Sequence, residues 1–265
     1  MAQDDTLMAA YTRADGRAWM AKAEEYVRTH GLHAIVQETS QNARAVEAKM
    51  RAYRDGGARV EGLFMGVPQP MSNQGIVARY FEQLADRGQG RLTVQANADE
   101  SYQGILALAD LVDRGTLVDL ASIYRRGESN PRYTNSLDEL GNWIDAPALR
   151  AALEAERTRP WTGPESEAFV TTQLRLREAG RGLGGEWSAR LARIEEQARP
   201  LLTPEAAARL SPARQSAAAA RSRSTTTRGK PVKPSPESPG SGTSHSAPHH
   251  GRGPEGSDHR RGPSR

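Results

Sequence analysis

Apolar residues recur along this chain in two rhythms, and the alternation between them outlines the elements. Residues 6–29 place Leu7, Tyr11, Ala14, Ala18 and Ala21 at steps of four and three, a helical stripe that Asp15-Gly16 is expected to break in two. Residues 33–38, His-Ala-Ile-Val-Gln-Glu, predict a short strand. Residues 42–55 read as a helix, stopped by Gly56-Gly57. Residues 59–67 predict a longer strand, closed by Pro68. The clearest helix follows over about 72–87, where Ile76, Val77, Tyr80, Phe81, Leu84 and Ala85 form one broad apolar stripe. A further helix over about 100–113 turns Ile105, Leu108, Ala109 and Val112 inward, and a strand over 118–124 ends in Tyr124-Arg125-Arg126-Gly127.

Strands separated by helices need crossover connections, which implies an α/β fold built on a parallel sheet flanked by helices. About three strands are visible, fewer than an open sheet of this kind normally has, so the pattern predicts a partial sheet. Residues 146–157, 163–179, 186–199 and 203–220 are helical by composition. Thr162 and Glu165 have the spacing of a capping box, with Pro164 in the first turn. Charges of both signs alternate through these helices, as on a solvated face. They predict a helical appendage that carries no chemistry.

Composition changes the picture only at the end of the chain. The net charge of +4 is unevenly spread over the 265 residues. Residues 221–265 hold nine basic and three acidic groups, while residues 1–220 hold 27 and 29. The body is near neutral, so the high isoelectric point gives no support to a nucleic-acid surface on it. From Ser222 onward only Val232 and Ala247 are apolar, which predicts a disordered basic tail. A solvated tail is the plainer expectation, and a weak nucleic-acid contact through it is the other. The chain has no cysteine, hence no disulfide framework or thiolate metal site. No apolar run approaches the length that spans a bilayer, and the acidic start Met-Ala-Gln-Asp-Asp is unlike a signal peptide. A cytoplasmic protein is the expectation, with no membrane contact.

Motifs with chemical meaning are sparse. No G-x-x-x-x-G-K-[ST] loop occurs in the sequence, and that loop normally holds the phosphates of ATP. Gly180-x-Gly182-x-Gly184-Gly185 follows a helix instead of a strand, so it is not a phosphate loop. His245, His249, His250 and His259 have no folded scaffold around them, so no metal site is predicted.

An ordered series of short pieces says more. Asp-Asp-Thr-Leu-Met-Ala-Ala-Tyr (4–11) leads into a helix containing Trp19, and His-Ala-Ile-Val-Gln-Glu-Thr (33–39) follows. Phe-Met-Gly-Val-Pro (64–68) precedes Ser72, Gly75, Arg79-Tyr80 and Arg91. Ala-Asp-Glu-Ser-Tyr (98–102) and Asp119 through Tyr124-Arg125-Arg126 complete the series. In this order and spacing, residues 4–126 resemble the zeta toxin family, P-loop kinases that phosphorylate UDP-N-acetylglucosamine. The resemblance implies ATP and magnesium as cofactors, a nucleotide-sugar substrate and an antitoxin partner. It gives residues 1–128 as the kinase-like domain, 129–220 as the helical region and 221–265 as the tail.

The resemblance also implies site residues. Arg79 and Arg91 match arginines that steady charge on the transferred phosphate, a task suited to a planar, permanently charged guanidinium. Arg79 lies off the Ile76/Tyr80/Leu84 stripe, as a site residue should, although an ordinary solvent-facing arginine would also lie there. Glu38 and Thr39 match a carboxylate and hydroxyl that bind the sugar nucleotide at a strand end. Gln37-Glu38-Thr39 admits two registers for the carboxylate, and Thr39 or Ser40 could instead cap the helix that follows. Arg126, with Arg125, is expected on the ATP side of the cleft or in a charged turn before Gly127. The phosphate loop's lysine and hydroxyl and the aspartate base fall before residue 4 in the family pattern, and Asp4 and Asp5 stand too late to be that base. The expectation is therefore an N-terminally truncated kinase domain, inactive in this form. The competing expectations are a non-catalytic remnant that binds a nucleotide sugar or a partner, and a nucleic-acid-associated protein acting through its tail.

Overall fold

The covered face of a small three-stranded sheet holds one of two hydrophobic cores. In the computed structural model, which describes residues 8–211, β1 (Glu61–Met65), β2 (Leu120–Tyr124) and β3 (Tyr133–Ser136) lie in that order. β1 and β2 are parallel, with Gly62 opposite Ala121 and Phe64 opposite Ile123. β3 runs antiparallel to β2, with Ser122 opposite Thr134. The fold is mixed α/β, with the parallel pair joined through the helices α3 (Gln69–Arg87) and α4 (Gln95–Arg114). These two start near the predicted helices but begin three and five residues earlier, because Pro68 and Val94 end the extended backbone ahead of them.

Burial along β1 alternates, with Gly62 and Phe64 covered and Leu63 62% exposed, so this edge strand is packed on one face, while the central β2 is buried at Ala121, Ser122 and Ile123 in succession. That face meets α2 (Ala43–Asp55), α4 and α5 (Leu149–Thr158) in a core of Val46, Phe64, Leu108, Val112, Ile123, Leu149 and Leu153. Asp119 fastens the sheet's lower edge. It accepts from the Val60 backbone N–H at 2.7 Å and from Arg54 at 2.6 Å. Burial pushes its carboxyl up, but these two donors outweigh that and bring it below its ordinary range.

The second core lies on the other side of α3. Val77, Tyr80 and Phe81 pack on α6 (Gly163–Ala179) and α7 (Gly185–Ala198), and α8 (Pro204–Leu210) closes the group through Ala206 and Leu210. Trp187 stacks on Tyr80 at 5.2 Å and tilts against Phe81 at 4.8 Å. The stripe on α3 was readable as apolar, and the partner it buries against is the helical region that follows the sheet. Thr162 and Glu165 do form the expected capping box on α6.

Several expectations are corrected. Residues 33–38 pair with no strand. They run without regular structure, and Ile35 is 95% exposed. A short apolar run makes a strand only where a neighbour offers its backbone, and β1 does not take this one. The third strand is instead β3, in residues that carried no strand pattern, which return after the turn at Arg126-Gly127 to pair with β2. The first helix, α1 (Met8–Thr29), passes through Asp15-Gly16 unbroken. A single glycine among good helix formers weakens a helix without ending it. The alanines of its stripe, Ala14, Ala18 and Ala21, stay exposed, because methyl groups bury too little area to demand a partner. Asn42, and neither Thr39 nor Ser40, caps α2, its side-chain oxygen accepting from Ala45 N–H at 3.1 Å.

The described residues fall within one compact unit, Met1–Arg221. Asp4, Asp5, Leu7, the far part of the 203–220 helix and the basic tail with its four histidines lie outside the described residues. Among those described, no helix is long and apolar enough to cross a membrane.

Candidate functional site

One face of α3 carries Arg79 and is met at its two ends by the Arg126 guanidinium and the Arg91 backbone. Gly75, Arg79 and Gln83 stand at successive steps of four, so they form one row along the helix. The row spans about 12 Å at 1.5 Å per residue. Arg79 occupies its middle and is exposed, off the buried Val77/Tyr80/Phe81 stripe. At one end, the Arg126 guanidinium lies over Gly75. A Cβ placed on Gly75 would stand 3.0 Å from one of its terminal nitrogens. At the other end, the Arg91 backbone N–H donates to the Gln83 side-chain oxygen at 2.8 Å. The loop that brings Arg91 there is shaped by glycines. Gly88 ends α3 in the left-handed conformation at φ +70°, and Gly90 lies so close to Tyr80 that a Cβ would meet its ring at 2.8 Å. That contact sets the course of the loop that carries Arg91.

None of the three arginines forms an ion pair among the described residues, although most of the other described arginines do. Arg126 comes shortly after the carboxyl end of β2 at Tyr124, and α3 begins at Gln69, shortly after the carboxyl end of β1 at Met65. The row thus stands on the side of the sheet where open α/β folds bind ligands.

Arg125 proves different from its neighbour. It is 4% exposed and belongs to the framework beneath the row. Its guanidinium donates to the Gly66 carbonyl at 3.2 Å and to Glu156 at 2.9 Å, and it pairs with Glu165 at 2.8 Å. Arg159 binds the same two carboxylates, taking Glu165 in a two-pronged grip at 2.7 and 2.9 Å. Burial pushes the Glu165 carboxyl up. Hydrogen bonds from Arg159 and the Thr162 backbone, with the nearby Arg125 charge, outweigh burial and bring its pKa down to about 2. A carboxylate lowered in the folded state stabilises the protein above its ordinary pKa and loses that contribution as the acid form returns. Stability should therefore fall as pH drops from about 4.3 toward 2. Thermal melts should show wild type losing melting temperature through that window and Glu165→Gln responding less. Equal pH slopes would remove Glu165 as the cause.

Glu38 and Thr39 are both exposed and sit on the unpaired segment before α2. The structure brings neither into contact with the arginine row. Glu38 pairs with Lys49, which also binds the buried Glu24 at 2.8 Å and so ties the segment to α1 and α2. Burial pulls the Lys49 ammonium down, and the hydrogen bonds it donates to Glu24 and Glu38 outweigh that, leaving it raised. Ser40 next door is buried with φ +55°, a rare backbone for a residue with a side chain. Its carbonyl lies directly against Gly104 of α4. Lys49, Ser40 and Gly104 thus hold the Glu38–Thr39 segment, and no motif in the sequence signalled them.

A shallow cavity of about 390 Å³ opens between the start of α2 and the second half of α4, lined by Gln41, Arg44, Asp110 and Arg114. It shares no residue with the row, and its arginines are already paired, Arg44 with Glu47 and Arg114 with Asp110. Anion binding is better served by the unpaired row. Among the described residues no three His, Asp or Glu side chains gather to hold a metal ion.

The model of the zeta toxin family matches residues 1–138. The chain belongs to the zeta toxin family. The match takes in the whole sheet, the row on α3 and the Glu38–Thr39 segment, and it ends before α5. Membership makes this a protein of a kinase-like toxin family. No curated protein matches the chain in sequence.

Proposed function

We propose that this zeta toxin family chain carries the arginine and acceptor side of an ATP-dependent kinase for UDP-N-acetylglucosamine or a related small acceptor. The observation that carries the reading is the row on α3, where Arg79 is exposed, the Arg126 guanidinium lies at Gly75, the Arg91 backbone meets Gln83, and no carboxylate among the described residues pairs with any of the three arginines. A triphosphate fits such a row, because its charge finds guanidinium donors that are not already engaged. Arg79 and Arg126 would hold the nucleotide phosphates, with Arg91 at the far end. Glu38 and Thr39 would receive the acceptor, on a segment held in place from α1, α2 and α4. An antitoxin partner is part of the reading, through the family.

In a kinase of this kind, positioning and electrostatics supply nearly all the acceleration. Arginines steady charge that develops on the transferred group, but they do not replace a backbone cradle for the phosphates. No such loop motif is among the 265 residues. The expected behaviour of this chain by itself is binding without turnover.

The test is to titrate ATP and UDP-N-acetylglucosamine into the 265-residue protein by calorimetry, then incubate both with magnesium and examine the sugar nucleotide by mass spectrometry. Binding of both without a phosphorylated product is expected. Arg79→Ala should weaken ATP about tenfold, the loss of one charge-assisted hydrogen bond, and leave the acceptor's affinity unchanged. Phosphorylated product would overturn the expectation of no turnover. Failure to bind either ligand would overturn the reading.

A further inference from the structure

A glycine in the middle of a helix is unfavourable relative to alanine, so Gly75 within α3 calls for a reason. Its conformation supplies none, since Gly75 is not among the glycines with positive φ. Packing within the cores supplies none either. The three nearest atoms from outside its own stretch of helix to the position a Cβ would take belong to the Arg126 guanidinium, at 3.0, 3.6 and 3.8 Å. The bare backbone at Gly75 is therefore a seat for that guanidinium, one helical turn from Arg79.

We infer that Gly75 is a positioning residue, acting through Arg126 to bring a second cation beside Arg79 and so setting the affinity of the row for a nucleoside triphosphate. This rests on the reading of the row as a phosphate site. A methyl group at residue 75 would stand 3.0 Å from the nearest guanidinium nitrogen, so the guanidinium must shift from its seat by a few tenths of an ångström. The displaced group is the far end of a flexible, exposed side chain, so the fold has nothing to lose. Helix propensity favours the alanine. A glycine kept for packing behaves in the opposite way, and its alanine variant is less stable.

The experiment is a double-mutant cycle on the 265-residue protein, using Gly75→Ala, Arg126→Ala and the pair. ATP and inorganic tripolyphosphate are the probes, calorimetry gives affinity, and thermal melts give stability. Gly75→Ala should weaken both probes several-fold, toward the roughly tenfold loss expected for Arg126→Ala. Its melting temperature should equal or exceed that of wild type. The pair should bind no more weakly than Arg126→Ala alone, because Gly75 acts only through Arg126. Losses that multiply in the pair, unchanged binding in Gly75→Ala, or a lowered melting temperature would each overturn the positioning role while leaving the phosphate site standing. A wild-type protein that binds neither probe would overturn the phosphate site and the positioning role with it.

Discussion

Arg125→Met should destabilise the protein by about 3–5 kcal/mol, the usual loss when one partner of a buried ion pair is removed. Glu156 and Glu165 would keep their charges, and only Arg159 would remain to face both. The hydrogen bonds to the carbonyls of Gly66 and Glu156 would also go, leaving those oxygens short of a donor next to the carboxyl end of β1. A domain's whole stability is about 5–15 kcal/mol, so this single change should bring it near its limit. Arg125→Lys should fall between the two, since an ammonium keeps the charge but cannot serve several acceptors in one plane. Urea denaturation measures the difference. A loss below about 1 kcal/mol, the range of surface pairs, would mean that the four charges are worth no more than exposed ones. The same variant should loosen Arg126, which is adjacent in sequence and owes its position to this framework.

Gly104→Ala should cost about 2 kcal/mol and should abolish acceptor binding at the Glu38–Thr39 segment. A Cβ on Gly104 would stand 2.0 Å from the Ser40 carbonyl oxygen, 2.9 Å from its carbon and 3.2 Å from the Gln41 Cα. All three are backbone atoms, so no side chain can swing aside. Overpacking of this kind costs about 1–3 kcal/mol or more, and improved helix propensity returns only about 1. The cheapest relief is for the segment to lift from α4, which breaks the Gln41–Glu100 hydrogen bond and carries Glu38 away from Lys49. Gly16→Ala is the natural control. Nothing lies within 4 Å of a Cβ at Gly16, so alanine there should stabilise α1 slightly. Denaturation and calorimetry with UDP-N-acetylglucosamine check both variants together. Normal acceptor affinity in Gly104→Ala would show that the seat of Ser40 has no bearing on the site.

Both predictions concern residues whose importance is invisible in a linear reading. Arg125 and Arg126 are the same residue type at adjacent positions, and nothing in a linear reading separates them. Side chains alternate as the chain leaves β2, so one enters the framework and the other reaches α3. Gly104 sits in a helix that periodicity identifies well, and only the passage of a distant segment explains why it is a glycine.

What the sequence by itself determined is mostly local. The stripes on α3 and α4, the capping box at Thr162 and Glu165, and the stop at Gly56-Gly57 depend on residues within a few positions of each other, so spacing suffices to read them. The order of short pieces along residues 4–126 was enough for the family, and the exposure of Arg79 followed from its place off the apolar stripe. The tertiary structure decided everything that needed two distant segments to meet. It left residues 33–38 unpaired and gave the third place in the sheet to β3, because a strand exists only through a partner's backbone. It joined Arg126 and Arg91 to Arg79 by way of Gly75 and Gln83, contacts between residues that no periodicity links. It also buried Arg125 among carboxylates from α5 and α6, where pairing and not propensity sets the outcome.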